Sequence, residues 1–263
     1  IEQMQQTYDL QVNGYYSQLH LLEDSLLQEK ELSLETDKKF FEVWQKESES
    51  TLIFLQENGK AITADGTKLR VDMPSKLLLD LRNGYNIGKL VCLDYEHTKK
   101  EGYLVAIPCE EYTINGETYT AIGTVYNHSR LDSMLKLKGY AGNAYLFMLD
   151  SDGNVTYTNQ EEDKFFRNYS LLKHLLKAQA ITKNEMAILN KKLEKKEQGV
   201  ELLGKENRYY LGYCPIESNN SMLICIVKKG VVDNVLRDYQ KTIVFATILM
   251  TGFVLLLFVG LFY

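Results

Sequence analysis

Arg82 and Tyr85 are the side chains of this sequence best suited to hold a small ligand. They stand at either end of the run RNGY, directly after a short stretch that predicts a helix. An arginine can grip a carboxylate with two parallel hydrogen bonds, and a tyrosine offers an aromatic face together with a hydroxyl group. The pair therefore predicts capture of a small polar molecule. A surface salt bridge is the alternative for Arg82.

Motifs of known enzymes are missing from the sequence. The four histidines, His20, His97, His128 and His174, are isolated, and there is no HExxH, no GxSxG and no glycine-rich phosphate loop. The run DSDG at 150–153 resembles part of a calcium loop but lacks the third acidic position and the distant glutamate, which favours a plain hairpin turn. We expect no enzymatic activity within these residues, no cofactor and no metal.

The four cysteines fit an exported domain. Cys92 and Cys109 fall on adjacent strands of one predicted hairpin, and Cys214 and Cys225 fall on adjacent strands of another. Of the three possible connectivities, proximity favours the disulfides 92–109 and 214–225. If the two strands of each hairpin pair symmetrically about the turn, the two cysteines are not directly opposite but are offset diagonally by about one residue. Buried free thiols are therefore an equally good alternative.

The last stretch of the chain, IVFATILMTGFVLLLFVGLFY at 243–263, predicts a transmembrane helix. It has no charged residue, and at 1.5 Å rise per residue it spans roughly 31 Å, about the hydrocarbon thickness of a bilayer. The remainder is globular in composition, with a net charge of −5. Its scattered basic residues are outnumbered by acidic ones, which argues against nucleic-acid binding. Since the chain begins at Ile1 and stops at the span, we expect it to be an excerpt of a longer protein.

From Met4 to about Lys46 the sequence predicts one long helix. Apolar and aromatic residues recur in steps of three and four from Tyr8 to Leu26, which makes a heptad seam. The seam predicts either a parallel dimer or packing of the helix on its own domain. For the aromatic cluster at 40–44 the second interpretation is better, and for the first 30 residues both stay open.

Two copies of one unit follow this helix. Strand pairs turn at Asn58-Gly59 and again at Asp152-Gly153, where glycine supplies the positive φ of a tight hairpin. Each copy continues through a second hairpin, turning at Asn115-Gly116 or Asn219-Asn220, into a short helix. Four matching features in one order, offset by about 94 to 107 residues, indicate a tandem duplication. The fold class is α+β, with antiparallel sheets flanked by helices.

Helices are predicted between the hairpins of the second copy. Thr182 and Glu185 form a capping box ahead of an amphipathic stretch that contains Leu189. The lysines at 191, 192, 195 and 196 are interleaved with Glu194 and Glu197, which favours a solvated helix face over an anion site.

The order of these features resembles the double Cache, or tandem PAS-like, extracytoplasmic sensor domains of bacterial receptors. The matching segments are FLQENGKAIT, GYLVAIPCEEYTINGETYTAIGTVYNHSRLDSML, GNAYLFMLDSDGNVTYT and YYLGYCPIESNNSMLICIVKKGVVDNVL. The resemblance covers nearly the whole chain and lies in the order of the motifs. It implies a spine helix over 1–49, a membrane-distal PAS-like module over 50–136, a membrane-proximal one over 137–236, and the transmembrane helix over 243–263.

In such proteins the distal module usually holds a small ligand. Amino-acid-binding members carry an Arg-x-Trp-Tyr run where this chain has residues 82–85, and an aspartate where it has Asn127. The missing acid argues against recognition of an α-amino acid. Tyr103, Tyr119 and Tyr126 lie on strands that would line the same pocket, and a polar, aromatic-walled cleft is the general expectation.

These features predict a receptor ectodomain that binds a small molecule and transmits a conformational change through the membrane helix to a cytoplasmic output domain. Residues before about 242 would be extracytoplasmic. The expected partners are the ligand, the membrane and a second copy bound through the N-terminal helix. The alternative is a periplasmic or cell-surface module that binds a protein and no small ligand. A distal cleft filled with apolar side chains, together with an exposed apolar patch, would favour that alternative.

Overall fold

The computed structural model describes residues 1–26, 34, 37–73, 75–95, 98–135, 143–159, 170–205 and 208–262. The helices are α1 (Glu2–Leu26), α2 (Lys38–Ser48), α3 (Ser75–Arg82), α4 (His128–Met134), α5 (Leu171–Lys177), α6 (Lys183–Glu194) and α7 (Lys229–Phe262). The strands are β1 (Thr51–Leu55), β2 (Lys60–Thr63), β3 (Lys68–Asp72), β4 (Ile87–Tyr95), β5 (Thr98–Ile114), β6 (Glu117–Tyr126), β7 (Ala144–Leu149), β8 (Val155–Thr158), β9 (Gly199–Leu203), β10 (Tyr209–Ile216) and β11 (Ser221–Lys228). The predicted α+β class, long N-terminal helix, antiparallel sheets and C-terminal apolar helix are confirmed.

The first sheet closes on itself as a six-stranded antiparallel barrel, β1 to β6 in order. Strand β1 closes it, because Ile53 lies opposite Thr63 of β2 and opposite Gly123 of β6. Apolar side chains from all six strands meet in one buried cluster, with Leu81 of α3 against it. Burial of these side chains is the main stabilising contribution to this unit.

The second sheet has five strands in the order β8-β7-β11-β10-β9. The barrel contains the same order of paired strands. Its first hairpin is β1 and β2, its last strand β6 pairs with β1, and β5 and β4 follow next to β6. This shared order agrees with the predicted duplication. Strands β3 and β9 were absent from the predicted element order. Short charged segments such as KLRVD and GVELL carry a weak strand signal, and pairing with a neighbouring strand decides their conformation.

The predicted turns are confirmed. Gly59 and Gly153 have φ angles of +81° and +77°, and Asn115-Gly116 provides two consecutive positive φ angles. The capping box at Thr182 is also present, since its hydroxyl accepts from the Glu185 amide at 3.2 Å and the Glu185 carboxylate accepts from the Thr182 amide at 2.6 Å.

The prediction of a single helix to Lys46 is wrong. Helix α1 ends at Leu26, Leu34 lies in a turn, and α2 begins only at Lys38 after a bend at Asp37. The heptad seam packs within the chain: Tyr8, Val12, Leu19, Leu22 and their neighbours are buried in a cluster shared with both sheets. The seam therefore packs on the chain's own core, as the second interpretation has it, and dimerisation through the N-terminal helix stays a prediction.

Helix α7 begins at Lys229, directly after β11 ends at Lys228. Among the described residues it is the helix long and apolar enough to cross a membrane, over Lys229–Val259. One unbroken helix therefore covers both the short helix expected after the last hairpin and the apolar stretch expected to span the membrane.

Gly123 is expected to be essential to barrel packing. A Cβ there would lie 2.9 Å from the Ala106 Cβ and 3.0 Å from the Val105 carbonyl oxygen, and the backbone cannot move away cheaply. We expect Gly123→Ala to lower the free energy of unfolding by about 1–3 kcal/mol, in urea denaturation followed by circular dichroism. Gly212→Ala is the matched control, since its Cβ would meet the Ile1 side chain at an ordinary 3.7 Å. Equal losses in the two variants would contradict this account.

Candidate functional site

A cleft of about 1060 Å³ lies where the barrel meets the second sheet. The barrel contributes residues of α3, of the loop 83–86 and of β4. The second unit contributes the β7–β8 turn around 150–156 and the β10–β11 turn at 217–220. Both units therefore build the cleft, and any movement between them changes its shape.

The cleft has an acidic rim over an apolar floor. The lining carboxylates are Asp72, Asp80, Glu101, Asp150, Asp152 and Glu217. Apolar lining side chains are Met73, Leu77, Ile87, Leu90, Val91 and Val155. Such a combination binds small ligands with the aliphatic part on the floor and polar groups at the rim.

Lys89 lies in the cleft wall with only 9% of its surface exposed. Its ammonium group donates a hydrogen bond of 2.8 Å to the Ser221 hydroxyl at the start of β11. A buried charge is costly unless it is paired and hydrogen-bonded. The bond therefore ties β4 of the barrel to β11 of the second sheet.

The β10–β11 turn inserts into a buried polar network. The Asn219 side-chain amide donates to the Tyr8 hydroxyl at 2.7 Å and to the Gly88 carbonyl at 2.8 Å. The Tyr8 and Tyr103 hydroxyls are themselves hydrogen-bonded to each other. A Cβ at Gly88 would lie 2.6 Å from the Tyr103 hydroxyl, so glycine is required beside this network. One asparagine thus joins α1, β4 and the second sheet.

A second set of contacts holds the same turn against α1. The Ser218 amide donates to the Asp9 carboxylate at 3.1 Å, and the Tyr16 hydroxyl donates to the Ser218 carbonyl at 3.2 Å. Burial raises the pKa values of Tyr8, Tyr16 and Tyr103 well above their usual range. All three hydroxyls therefore stay protonated and able to donate at neutral pH.

Two side-chain oxygens at this site, those of Ser218 and Asn219, are buried and have no hydrogen-bond partner among the described residues. The Asn219 side-chain oxygen is buried and accepts no hydrogen bond, although the residue lines the cleft. An unsatisfied buried acceptor typically costs about 1–3 kcal/mol.

The structure brings Tyr85 of the predicted site residues to the cleft, where its side chain is 64% exposed. Arg82 lies outside, and its guanidinium is 3.7 Å from the Glu57 carboxylate in an exposed ion pair. This is the contact that the alternative interpretation predicted. Asn127 stands at the N-terminal cap of α4 and is exposed.

The three strand tyrosines are core residues, each 2% exposed or less. Tyr103 belongs to the network with Tyr8, and the Tyr119 hydroxyl donates to the Glu117 carboxylate at 3.2 Å. The Tyr126 ring stacks on Tyr15 with centroids 4.4 Å apart. They pack the barrel against α1 and are not among the residues lining the cleft.

All four cysteines are free thiols in the structure. Cys92 lies opposite Glu101 in the β4–β5 ladder, which leaves Cys109 far along the hairpin. The expected proximity of Cys92 and Cys109 is thus wrong. Cys214 and Cys225 are diagonal neighbours, because Cys214 faces Leu223 and Cys225 faces Gly212. Both are buried, as the free-thiol alternative anticipated.

Sequence analysis did not single out Lys89 or Asn219 as site residues. Lys89 is a lysine within the apolar strand IGKLVCL, and a charge at such a position signals a buried partner. Asn219 was predicted only to form a turn, because its hydrogen-bond partners Tyr8 and Gly88 are distant in sequence. Among the described residues, no group of three or more His, Cys, Asp or Glu side chains is placed to hold a metal ion.

Solved structures with this fold are extracytoplasmic sensor domains. The ligand-binding domain of the Pseudomonas aeruginosa amino acid chemoreceptor PctB, in complex with L-Arg, superposes with a TM-score of 0.57 at 14% identity, over 87% of this chain and 92% of its own. The extracellular domain of mmHK1S-Z3, assigned to the histidine kinases, superposes with a TM-score of 0.56 at 11% identity, over 88% of this chain and 92% of its own. The periplasmic sensory domain of the Campylobacter jejuni chemoreceptor Tlp1 superposes with a TM-score of 0.54 at 12% identity, over 86% of this chain and 91% of its own.

These similarities extend over nearly the whole of each chain. No protein-family model matches the sequence, and no curated protein matches it. At identities this low the likeness concerns the fold. The resemblance seen in the order of sequence motifs is confirmed at that level: the chain has the fold of extracytoplasmic sensor domains of receptors.

Proposed function

We propose that this chain is the sensory part of a membrane receptor and that it binds a small molecule in the cleft between its two units. The observation that carries the proposal is the connection of the cleft wall to the membrane helix. The β10–β11 turn lines the cleft, β11 follows it, and α7 begins at the next residue. A change at the turn has a short, regular path to the span.

We assign the barrel and its preceding helices to the spine and distal module expected over 1–49 and 50–136. The second sheet corresponds to the PAS-like proximal module expected over 137–236, because α7 leaves from it. Residues before about 242 would then face the cell exterior or periplasm, and 243–263 would cross the membrane. The shared strand order of the two sheets supports this division.

The proposed site differs from the one expected inside the distal module. The barrel interior is filled by buried apolar side chains such as Leu104, Ala106 and Ile53. The junction cleft is open and polar, and it contains Tyr85. Of the residues predicted to bind ligand, we retain Tyr85 as a contact and add Lys89 and Asn219.

Ligand binding would act by favouring one arrangement of the two units. Coupling requires that the ligand bind the two arrangements with different affinity, and a cleft built from both units meets this requirement. The Lys89–Ser221 bond and the Asn219 network are among the contacts at this boundary. A ligand that competes for them would shift β11 and, with it, α7.

The filled barrel interior also favours the second candidate, a module that binds a protein partner and no small molecule. A distal module filled with apolar side chains is one of the two features expected for such a module, and an exposed apolar patch is the other. The open junction cleft argues for the first candidate.

Ligand-dependent stabilisation of the full chain in lipid nanodiscs tests the proposal. A metabolite present at about 100 times its dissociation constant should stabilise the fold by roughly 2.7 kcal/mol, which raises the melting temperature. Tyr85→Ala should weaken binding of the active compound by about 3- to 10-fold. Tyr239→Ala is the control, since Tyr239 is similarly exposed, at 66% against 64%, but lies on α7. If no compound class shifts melting and no density occupies the cleft, the proposal fails.

A further inference from the structure

We propose that the outward face of α1 binds the same face of a second copy of this chain, as a parallel helix pair. This outer face consists of the exposed residues between Gln3 and Leu21, and it lies opposite the seam that packs on the chain's own core. Its members are Gln3, Gln6, Thr7, Leu10, Gln11, Asn13, Gly14, Ser17, Gln18, His20 and Leu21. The proposal goes beyond the sensory function and arises from the composition, spacing and direction of this face.

The outer face carries no Asp, Glu, Lys or Arg side chain. Charged residues make up 25% of the sequence and favour exposed positions, so a solvated face of this length would carry several of them. The one acid within the stretch, Asp9, is half-buried and accepts a hydrogen bond from the Ser218 amide at 3.1 Å. Depletion of charge is the compositional mark of the core of a protein interface. The outer face is therefore composed like an interface.

Apolar and small residues on the outer face follow a heptad spacing. Leu10 and Leu21 are 76% and 67% exposed, and Gly14 and Ser17 lie between them at steps of four, three and four residues. A parallel helix pair with this spacing places each of these residues against its own equivalent in the other copy. A Cβ at Gly14 would meet no atom within 4 Å, so a second backbone can approach closely there.

The polar residues that flank this spacing favour a second copy as the partner. In a parallel pair, Gln6 of one copy lies beside Gln11 of the other, and Asn13 lies beside Gln18. An amide both donates and accepts hydrogen bonds, so two identical amide-bearing faces can satisfy each other. A charged residue, in contrast, would meet its own like charge across a two-fold axis. A charged protein or a lipid headgroup would find no opposite charge on this face.

The course of α1 makes a parallel pair the expected arrangement. The helix begins beside the second sheet, where the Ile1 side chain lies near Gly212, and it reaches the barrel, where Tyr15 stacks on Tyr126. Under the proposed function, α7 leaves the second sheet and fixes both copies in one membrane, so both α1 helices point away from that membrane. Two copies related by an axis along the membrane normal therefore align these helices in the same direction.

Opposite charges placed on two copies test the proposal, by sedimentation equilibrium of the full chain in detergent micelles over a concentration series. We expect the unaltered chain to form a dimer. The double variants Leu10→Glu/Leu21→Glu and Leu10→Lys/Leu21→Lys should each raise the dimer dissociation constant by about 10-fold or more per leucine replaced, because burial is lost and like charges meet. An equimolar mixture of the two variants should recover the dimer, because the introduced charges are then opposite.

The control double variant is Leu79→Glu/Ile188→Glu, which alters two apolar residues on α3 and α6 that are each 53% exposed. It should leave the dimer unchanged, and circular dichroism with melting temperatures verifies that every variant folds. A monomeric unaltered chain overturns the proposal. A dimer that survives both charged variants also overturns it, since the contact then lies elsewhere, for example on α7. Failure of the mixed variants to pair would show that the outer face does not meet its own equivalent.

Discussion

Replacement of Asn219 by alanine is expected to lower the free energy of unfolding by about 2–4 kcal/mol and to release the β10–β11 turn from the barrel. The variant removes the donors to the Tyr8 hydroxyl and to the Gly88 carbonyl, both in the buried network. The Gly88 carbonyl cannot recover its bond without water entering the junction. The loss should be visible in urea denaturation followed by fluorescence of Trp44, the single tryptophan, which packs against the core shared by both units.

Asn220→Gly is the matched control for this variant. Asn220 is the next residue, is exposed, and has a φ angle of +55°, which glycine adopts without strain. We expect its stability to change by less than about 1 kcal/mol. Similar losses for Asn219→Ala and Asn220→Gly would show that the turn as a whole, and not the buried amide, holds the two units together.

Two further measurements separate release of the turn from general destabilisation. In Asn219→Ala, hydrogen exchange should accelerate at the Ser218 amide, which donates to Asp9, before it accelerates in the barrel strands. A double-mutant cycle with Tyr8→Phe should give a coupling energy of about 0.5–3 kcal/mol. A coupling energy of zero would contradict the direct bond between Asn219 and Tyr8.

The repeated hairpins were predictable because their turn residues act locally. Asn-Gly and Asp-Gly adopt positive φ angles whatever surrounds them, so Gly59 and Gly153 marked equivalent points in two units. The apolar C-terminal helix was predictable for a similar reason, since its uninterrupted apolar character needs no partner to be recognised. Closure of the barrel was not predictable, because it depends on Ile53 of β1 meeting Gly123 of β6.

The candidate site was predicted only in part, because its residues are joined by tertiary contacts. The segment that contains Tyr85 was identified, and it forms one wall of the cleft. The opposite wall comes from turns at 150–156 and 217–220, which had been interpreted as connections. The role of the seam on α1 was not predictable, since the same spacing serves a partner helix or the chain's own sheets. The structure buries the seam in one core cluster with Tyr103 and Cys225, residues distant in sequence.

Alkaline pH should unfold the two sheet units, and this is the second effect that we expect to be large. Burial raises the pKa values of Tyr8, Tyr16 and Tyr103 far above 10, and it raises that of Tyr126 to about 12. Burial likewise raises the pKa of Cys225, to about 11. Each group is neutral in the folded chain at a pH where the unfolded chain has released its proton. Stability is therefore complete below about pH 9 and is lost as the pH rises above the unfolded values.

The size of this loss follows from the number of buried hydroxyls. At pH 12 each fully buried tyrosine removes about 2–3 kcal/mol, so Tyr8 and Tyr103 together approach the typical stability of about 5–15 kcal/mol. Urea denaturation at several pH values, with tyrosinate absorbance recorded in parallel, measures the slope of unfolding free energy against pH. Tyr16→Phe should reduce that slope above pH 10 by one proton, about 1.4 kcal/mol per pH unit. The control Tyr239→Phe, on exposed α7, should leave it unchanged, whereas ionisation of all tyrosines before unfolding would show that the hydroxyls under the β10–β11 turn are not sealed from water.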